Sequence, residues 1–332
     1  MNLSPTSGRQ RSVTKALSVG GVSVLAIGIV VALALIGISH SRATPPTKAT
    51  SATTAPNPNL SSAGRSASQR VTYVNTNSSM GYAGMSRSYV MSRPSTRSKG
   101  RKLPVIVVLH GRDATPAFEQ QRTNFTSVVR PSILVYPAGI QGSWNAGGCC
   151  GPAETANIDD VGFVKAVLAH VKATQSDASQ GGAYLAGYSN GGKLALRLAC
   201  EDAGDFAGVA VYGATDSETC PNRAASQMLI MTGAKDAEIP ASSVAPPTQP
   251  DGFVPLSFEA EVNSYRAADG CASTPVVTTV GLVTLSSWVH CNANEQVGQA
   301  VFANGTHGWP PGSATSPSAE GVAWAWFRSL GA

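Results

Sequence analysis

Residues 183–192 read Ala-Tyr-Leu-Ala-Gly-Tyr-Ser-Asn-Gly-Gly, an apolar run that ends in the pattern Gly-x-Ser-x-Gly. The apolar residues predict a buried strand, and residues 190–200 predict a helix directly after it. A serine at such a sharp strand-to-helix turn is lifted above the sheet, and the glycines remove the Cβ atoms that would collide there. The dipole and free N–H groups of the helix favour a developing negative charge at this point. Ser189 is therefore predicted to be a nucleophile, and the alternative is a glycine-rich turn without chemistry.

Other short apolar runs resemble the one before Ser189. They are residues 103–109, 132–136, 206–212 and 228–231. Helical patterns lie among them, at residues 159–171 and 190–200. Strands that alternate with helices predict an α/β fold with a mostly parallel central sheet and helices on both faces. The proline-rich residues 242–255 predict a long loop of the kind that often forms a lid or a binding segment.

A nucleophilic serine needs a general base, and His307 is the best candidate. His307 lies in the loop 304–312, just after the last apolar strand at residues 299–302. Polar residues at the carboxyl ends of strands are where sites form in α/β sheets. His290 and His110 are the alternatives: His290 falls within a strand pattern, and the backbone of His110 is the better contributor.

The acid that orients this base is expected between the serine and the histidine in chain order. Asp236 fits, because it lies in the loop after the run 228–233, and Glu238 in the same loop is the alternative. The oxyanion formed during acyl transfer needs two backbone N–H donors. Those of Asn190, next to the nucleophile, and Arg112, after the strand at 103–109, are predicted to supply them.

The charge of the chain is concentrated at its amino-terminal end. The protein has 332 residues, of which 13% are charged, and a net charge of +5. The first 69 residues hold six basic residues and no acidic one, so the remaining 263 carry a net charge of −1. The folded part therefore lacks the overall basic excess that nucleic-acid binding needs, and no nucleic-acid partner is expected. The low charge also excludes a coiled coil or a charged disordered protein.

The amino-terminal region divides into three segments ahead of the catalytic domain. Residues 1–15 form a basic tail, and residues 16–39 are an uncharged apolar run long enough for one N-terminal transmembrane helix. The positive-inside rule places the tail in the cytoplasm and the rest outside. Residues 40–69, rich in Pro, Ser, Thr and Ala, form a disordered linker to the domain at 70–332. A cleaved signal sequence is the alternative to a membrane anchor.

All six cysteines follow the linker, and an even number outside the cytoplasm predicts disulfides. Cys271 and Cys291 bracket a predicted strand pair and are expected to form one bridge. A second is expected between one member of the pair Cys149/Cys150 and either Cys200 or Cys220. No Cys-x-x-Cys occurs, so neither a structural zinc site nor another metal site is expected.

Six motifs occur in one order along the chain. They are Leu109-His-Gly111, Gly142-Ser-Trp-Asn-Ala-Gly-Gly-Cys-Cys-Gly151, Asp159-Asp-Val-Gly-Phe163, Gly187-Tyr-Ser-Asn-Gly-Gly192, Gly233-Ala-Lys-Asp236 and Gly305-Thr-His-Gly-Trp-Pro310. Together they resemble the polyhydroxybutyrate depolymerase and feruloyl esterase family of α/β-hydrolases, over roughly residues 85–330. The resemblance implies the α/β-hydrolase fold, secretion, and a triad of Ser189, Asp236 and His307 without metal or cofactor.

The chain departs from the family pattern at two places near the expected acyl site. Arg112 stands where the family often has cysteine, and Gly-Thr-His307-Gly-Trp-Pro replaces the usual Gly-Gly-His-Thr-Trp-Pro. Neither change removes a triad member, so the departures bear on substrate preference.

Aromatic residues beside the motifs are candidates for substrate binding. Trp144, Trp309 and Tyr188 could contact an aryl or sugar group, with core packing as the alternative for Trp144. Asp159 and Asp160 resemble a catalytic pair, but their place at a helix start favours capping.

The sequence therefore favours an extracytoplasmic serine carboxylesterase, anchored to the membrane or secreted. Its expected substrate is a polyester, a feruloylated or acetylated polysaccharide, or a lipid ester. Two alternatives use the same scaffold: an envelope acyltransferase with the same triad, and a non-catalytic binding module.

Overall fold

The computed structural model describes residues 58–60, 71–96, 100–221, 223, 226–248 and 253–332. The predicted tail at 1–15 and the predicted transmembrane segment at 16–39 lie outside these residues, as does the predicted linker at 40–69 apart from residues 58–60. Within the described part of the chain, no helix has the length and apolar character needed to cross a bilayer.

Ten strands form one sheet. They are β1 (Tyr73–Tyr82), β2 (Met85–Pro94), β3 (Val105–Leu109), β4 (Ile133–Pro137), β5 (Ala183–Tyr188), β6 (Phe206–Tyr212), β7 (Met228–Gly233), β8 (Val276–Val280), β9 (Val283–Trp288) and β10 (Val297–Phe302). Their spatial order is β1-β2-β4-β3-β5-β6-β7-β10-β9-β8. The apolar runs predicted as strands supply β3 to β7 and the end of β10.

The middle of the sheet is parallel and its two sides are antiparallel. Strands β4, β3, β5, β6, β7 and β10 pair in parallel, and residues of β3 and β5 such as Ile106 and Leu185 are fully buried. Strands β1 and β2 extend one side, and β9 and β8 the other, in antiparallel pairing. The sheet is therefore mixed, and the prediction of a parallel sheet describes its middle.

Six α-helices accompany the sheet in the described part of the chain. They are α1 (Pro116–Thr123), α2 (Pro152–Thr155), α3 (Asp160–Thr174), α4 (Asn190–Glu201), α5 (Phe258–Ala268) and α6 (Ala319–Ser329). Apolar residues of α3, α4 and α5 form one core cluster with every second residue of the buried strands. Apolar residues of α6 form a second cluster with the intervening strand residues. Because side chains alternate across a strand, two such clusters mark the two faces of the sheet. Helices on both faces are thus confirmed.

A buried ion pair fastens the β1–β2 hairpin to the body of the domain. Arg87 of β2 donates to an Asp160 carboxylate oxygen at 2.7 Å, and its guanidinium lies 3.8 Å from the ring centre of Phe163. The other Asp160 oxygen accepts from the backbone N–H of Asn145 at 2.8 Å. Asp159 caps α3 by accepting from the N–H of Gly162, as predicted. The Asp160 side chain instead links α3 to Arg87 of β2 and to the loop at Asn145.

Three disulfides are present, and the structure corrects one prediction. Cys271 and Cys291 are bonded as expected. Cys200 pairs with Cys220 across 5.9 Å between Cα atoms, a normal bridging distance. Cys149 is bonded to its neighbour Cys150, so the predicted bridge from this pair to Cys200 or Cys220 is wrong. Cys200 at the end of α4 already has its partner, and the loop of residues 143–151 brings the adjacent thiols together.

Candidate active site

Ser189 lies between the end of β5 and the start of α4, in a backbone conformation that side chains seldom adopt. Its φ and ψ are +50° and −121°. A Cβ atom at Gly187 would come within 2.5 Å of the Gly191 carbonyl oxygen, and one at Gly191 within 2.3 Å of the His110 carbonyl oxygen. Both positions therefore require glycine, and the strand, turn and helix predicted around Ser189 are all present.

His307 and Asp236 extend from Ser189 in a line. The Ser189 Oγ lies 2.9 Å from His307 Nε2, and His307 Nδ1 lies 3.0 and 3.1 Å from the two Asp236 carboxylate oxygens. The other candidate bases lie elsewhere: His290 is exposed, and both ring nitrogens of the buried His110 bond to backbone groups. The three residues come from the loops after β5, β7 and β10, where parallel strands end.

Asp236 is held as a carboxylate. Burial alone would raise its pKa, but hydrogen bonds from His307 and from the backbone N–H groups of Ile239 and Glu238 lower it below its ordinary value. These N–H groups lie 2.8 and 2.9 Å from Asp236 Oδ1. A carboxylate fixed in this way orients the imidazole and stabilises its charged form.

Glu238, the alternative acid, takes a different place. Its carboxylate lies 3.3 Å from His307 Nε2, the nitrogen that also faces Ser189, whereas Asp236 faces Nδ1. The Glu238 side chain is 69% exposed and that of Asp236 is fully buried. The two acids therefore occupy different positions: Asp236 contacts Nδ1 of the imidazole in the protein interior, and Glu238 contacts Nε2 from the solvent side.

Two tyrosines are hydrogen-bonded to the backbone of the loop that carries His307. The Tyr188 hydroxyl donates to the His307 carbonyl at 2.8 Å, and the Tyr212 hydroxyl donates to the Thr306 carbonyl at 2.9 Å. These tyrosines end β5 and β6, so the loop that carries the imidazole is fastened to the sheet beside the nucleophile. Tyr188 also lines the pocket, and its predicted contact with substrate stays a prediction.

Asn190 and Arg112, the predicted oxyanion residues, line the same pocket as Ser189. The buried Asn190 side chain accepts from the Trp144 backbone N–H at 2.8 Å and donates to the Trp144 carbonyl at 3.0 Å. The Trp144 indole donates to the His110 carbonyl at 2.8 Å. Trp144 thus bridges the turn that bears Asn190 and the loop that bears Arg112, a link that no sequence motif indicated.

The two tryptophans proposed as substrate contacts are core residues. Trp144 is fully buried, and Trp309 is 5% exposed. Trp309 packs near Phe125 and Tyr212, and its indole donates to Glu320 at 2.9 Å. Neither ring borders the pocket that contains Ser189. The prediction that they stack on substrate is therefore corrected: their apolar area is used in packing, with each N–H satisfied internally.

The pocket above Ser189 has a volume of about 600 Å³. Charged side chains occupy much of its rim: Arg112, Asp113, Glu154, Lys193 and Glu238. The Cys149–Cys150 disulfide forms part of its wall. Across the described residues, no group of three or more His, Cys, Asp or Glu side chains is arranged to hold a metal ion.

No family model matches the sequence, and no curated protein matches it. Among solved structures, the acetyl xylan esterase from Aspergillus awamori is similar at 11% identity, with a TM-score of 0.50 over 70% of this chain and 94% of that one. At this level of identity the likeness concerns the fold. This likeness and the mixed sheet with its order fit an α/β-hydrolase fold.

Shorter matches are found with other solved structures. A thermostable esterase is 17% identical, with a TM-score of 0.41 over 51% of this chain and 48% of that one. The S-formylglutathione hydrolase FrmB from Staphylococcus aureus is 14% identical, with a TM-score of 0.42 over 51% of this chain and 80% of that one. The match therefore spans about half the length of the thermostable esterase.

Proposed function

We propose that this protein is a serine carboxylesterase that works through an acyl-enzyme. The observation that carries the proposal is the continuous line from the Ser189 hydroxyl through His307 to the buried Asp236 carboxylate, with successive distances of 2.9 and 3.0 Å. Nucleophile, base and orienting acid within hydrogen-bond reach are the arrangement that acyl transfer requires.

In the first half of the reaction, Ser189 Oγ attacks the ester carbonyl carbon while His307 Nε2 takes the hydroxyl proton. The carbonyl oxygen becomes an oxyanion, which accepts from the backbone N–H groups of Asn190 and Arg112. As the C–O bond to the alcohol breaks, the imidazolium returns the proton to the leaving oxygen. In the second half, His307 takes a proton from water as the water oxygen attacks the acyl carbon. The bond from that carbon to Ser189 Oγ then breaks, the proton passes to Ser189 Oγ, and the carboxylic acid leaves.

The resemblance in motifs supports a narrower substrate class of the polyhydroxybutyrate depolymerase and feruloyl esterase type. Such substrates are polyesters and acetylated or feruloylated polysaccharides. The three disulfides support an oxidising, extracytoplasmic location, because intracellular thiols are kept reduced. The apolar segment at 16–39 supports a membrane anchor or a secretion signal, because it is long enough to span a bilayer as a helix.

The proposal is tested with Ser189→Ala and a panel of short-chain p-nitrophenyl esters. We expect kcat/KM to fall by about four orders of magnitude or more, because the nucleophile is removed while the pocket is kept. Ser127→Ala, on an exposed turn, is the matched control and should retain activity. A fluorophosphonate probe should label the parent and not Ser189→Ala. Equal ester hydrolysis by parent and Ser189→Ala would overturn the mechanism, and acyl transfer to an added alcohol that outruns hydrolysis would indicate an acyltransferase.

A further inference from the structure

The disulfide-bonded pair Cys149 and Cys150, called the sulfur wall here, borders the pocket that contains Ser189. Around it, the lining described above is mostly charged or polar, and Tyr188 and Pro247 add apolar surface. A disulfide has no hydrogen-bond donor, and sulfur is polarisable, so this wall favours contact with apolar groups.

The backbone of the disulfide segment is fixed on both sides. The Cys150 N–H donates to the Trp144 carbonyl at 3.1 Å, and the Cys149 carbonyl accepts from the Ala146 N–H at 2.6 Å. The Gly148 N–H donates to the Ser217 carbonyl at 3.1 Å. Because Trp144 is also bonded to Asn190, the sulfur wall is held in a constant position relative to Ser189.

The position of the wall indicates which part of an ester it meets. His307 returns a proton to the alcohol oxygen, so the alcohol leaves on the side of His307 and Glu238. The disulfide segment lies next to Arg112, one of the proposed oxyanion donors, because a Cβ atom at Gly151 would be 3.8 Å from the Arg112 side chain. The acyl group carries the carbonyl oxygen that these donors would bind, so it is the part of the substrate that this segment would meet.

We propose that the Cys149–Cys150 disulfide determines acyl specificity. It favours esters whose acyl group carries apolar carbons beyond the carbonyl over acetate esters. This inference rests on the proposed function, since it needs Ser189 as the nucleophile. Neither cysteine has a role in the triad or in the oxyanion donors, so its contribution is to selection among acyl groups.

The test compares kcat/KM for p-nitrophenyl acetate, butyrate and hexanoate. In Cys149→Ser/Cys150→Ser, polar hydroxyls replace the sulfur wall, and we expect the hexanoate-to-acetate ratio to fall about tenfold, the scale of one to a few methylene contacts. Acetate hydrolysis should change less than about threefold. Cys271→Ser/Cys291→Ser also removes one bridge, away from the pocket, and should keep the parental ratio.

An unchanged ratio in Cys149→Ser/Cys150→Ser would overturn the inference while leaving the esterase proposal intact. If the variant does not fold, Cys149→Ala/Cys150→Ala gives the same comparison, because it also removes both sulfurs. If the parent hydrolyses no ester, the proposed function fails, and calorimetric titration with hexanoate tests separately whether the disulfide favours apolar acyl groups. Weaker hexanoate binding to the variant than to the parent supports it, and equal or undetectable binding overturns it.

Discussion

The ring of His110 illustrates how a single side chain serves the site without taking part in the reaction. Its Nε2 accepts from the Gly139 N–H at 2.9 Å, so its Nδ1 carries the proton and donates to the Gly111 carbonyl at 2.7 Å. The side chain is 1% exposed. A neutral ring with one fixed tautomer thus supports the loop that leads to Arg112, and a second proton would break the bond from Gly139.

His110 is expected to contribute a loss of stability in mild acid. Burial lowers its pKa to about 4, from about 6.5 in an unfolded chain. As pH falls from 6.5 to 4, the unfolded chain binds a proton that the folded chain does not, which costs up to about 1.4 kcal/mol per pH unit. Glu119 and Asp269, whose pKa values burial raises to about 7, act in the opposite direction over the same range, so the contribution of His110 is the difference in slope between variants. Urea unfolding at a series of pH values should give this contribution in the parent and in His170→Asn, an exposed control. His110→Asn should lack it, and an equal slope in all three would contradict the argument.

At the residue scale, the sequence was sufficient for the positions of Ser189, Asp236 and His307. Their motifs combine a residue type with a strand end, and that combination has few structural solutions. The tryptophans were misjudged because nearness in sequence to a motif does not show which way a ring points. The Cys149–Cys150 bond was missed because spacing alone gives no reason to pair adjacent cysteines.

Among the elements, the contact between α4 and the loop of residues 143–151 connects the two oxyanion donors. Asn190 begins α4, and its side chain makes two hydrogen bonds to the backbone of Trp144. Because the Trp144 indole in turn bonds to His110, a shift of this loop would move Arg112 relative to Ser189.

Replacing Asn190 by alanine is expected to lower kcat more than it raises KM. The Trp144 N–H would be left unpaired in a buried place, whereas the Trp144 carbonyl keeps the Cys150 N–H, and we expect a loss of about 1–3 kcal/mol of stability. The misplaced oxyanion donors should reduce kcat about ten- to hundredfold. Steady-state kinetics on folded protein check this, with Asn263→Ala on the exposed face of α5 as control. A rise in KM with kcat unchanged would contradict a role in positioning.

The ion pair of Arg87 with Asp160 is a buried link between the hairpin and α3. Asp160→Asn would leave the Arg87 charge buried without an opposite charge, and we expect the free energy of unfolding to fall by about 3–5 kcal/mol. The pair of Lys165 with Asp202 is over a third exposed on both sides, so Lys165→Gln should cost at most about 1 kcal/mol. Denaturant titrations of both variants measure the difference, and equal losses would refute it.

The strands were predictable in proportion to their burial. Strands β3 and β5 are continuous apolar runs, because parallel strands covered on both faces show no polar alternation. Strand β1 reads Tyr-Val-Asn-Thr-Asn-Ser-Ser-Met-Gly-Tyr and is largely exposed, so nothing in its composition distinguishes it from a loop. It is a strand because β2 pairs with it along its whole length, which is information that lies outside its own sequence.

For the whole molecule, two disulfides each close a segment with a sequence separation of 20 residues. Each restricts the unfolded chain, and a loop of this size corresponds to about 3 kcal/mol of stability. Cys271→Ser/Cys291→Ser should therefore lower the free energy of unfolding by about 2–4 kcal/mol. Urea titration of this variant and of the parent measures the change, and a loss under about 0.5 kcal/mol would show that the bridge contributes little.

The bonds from Tyr188 and Tyr212 to the histidine loop have a consequence for how the protein loses activity. The Ser189 hydroxyl and the His307 imidazole do not move independently. The backbone of the loop that carries His307 is hydrogen-bonded to β5, which precedes Ser189, and to the neighbouring strand β6. Local opening is cheapest where such ties are few. Moving the imidazole away from the hydroxyl therefore requires breaking both of these bonds to the central strands, and we expect this part of the molecule to be among the last to open.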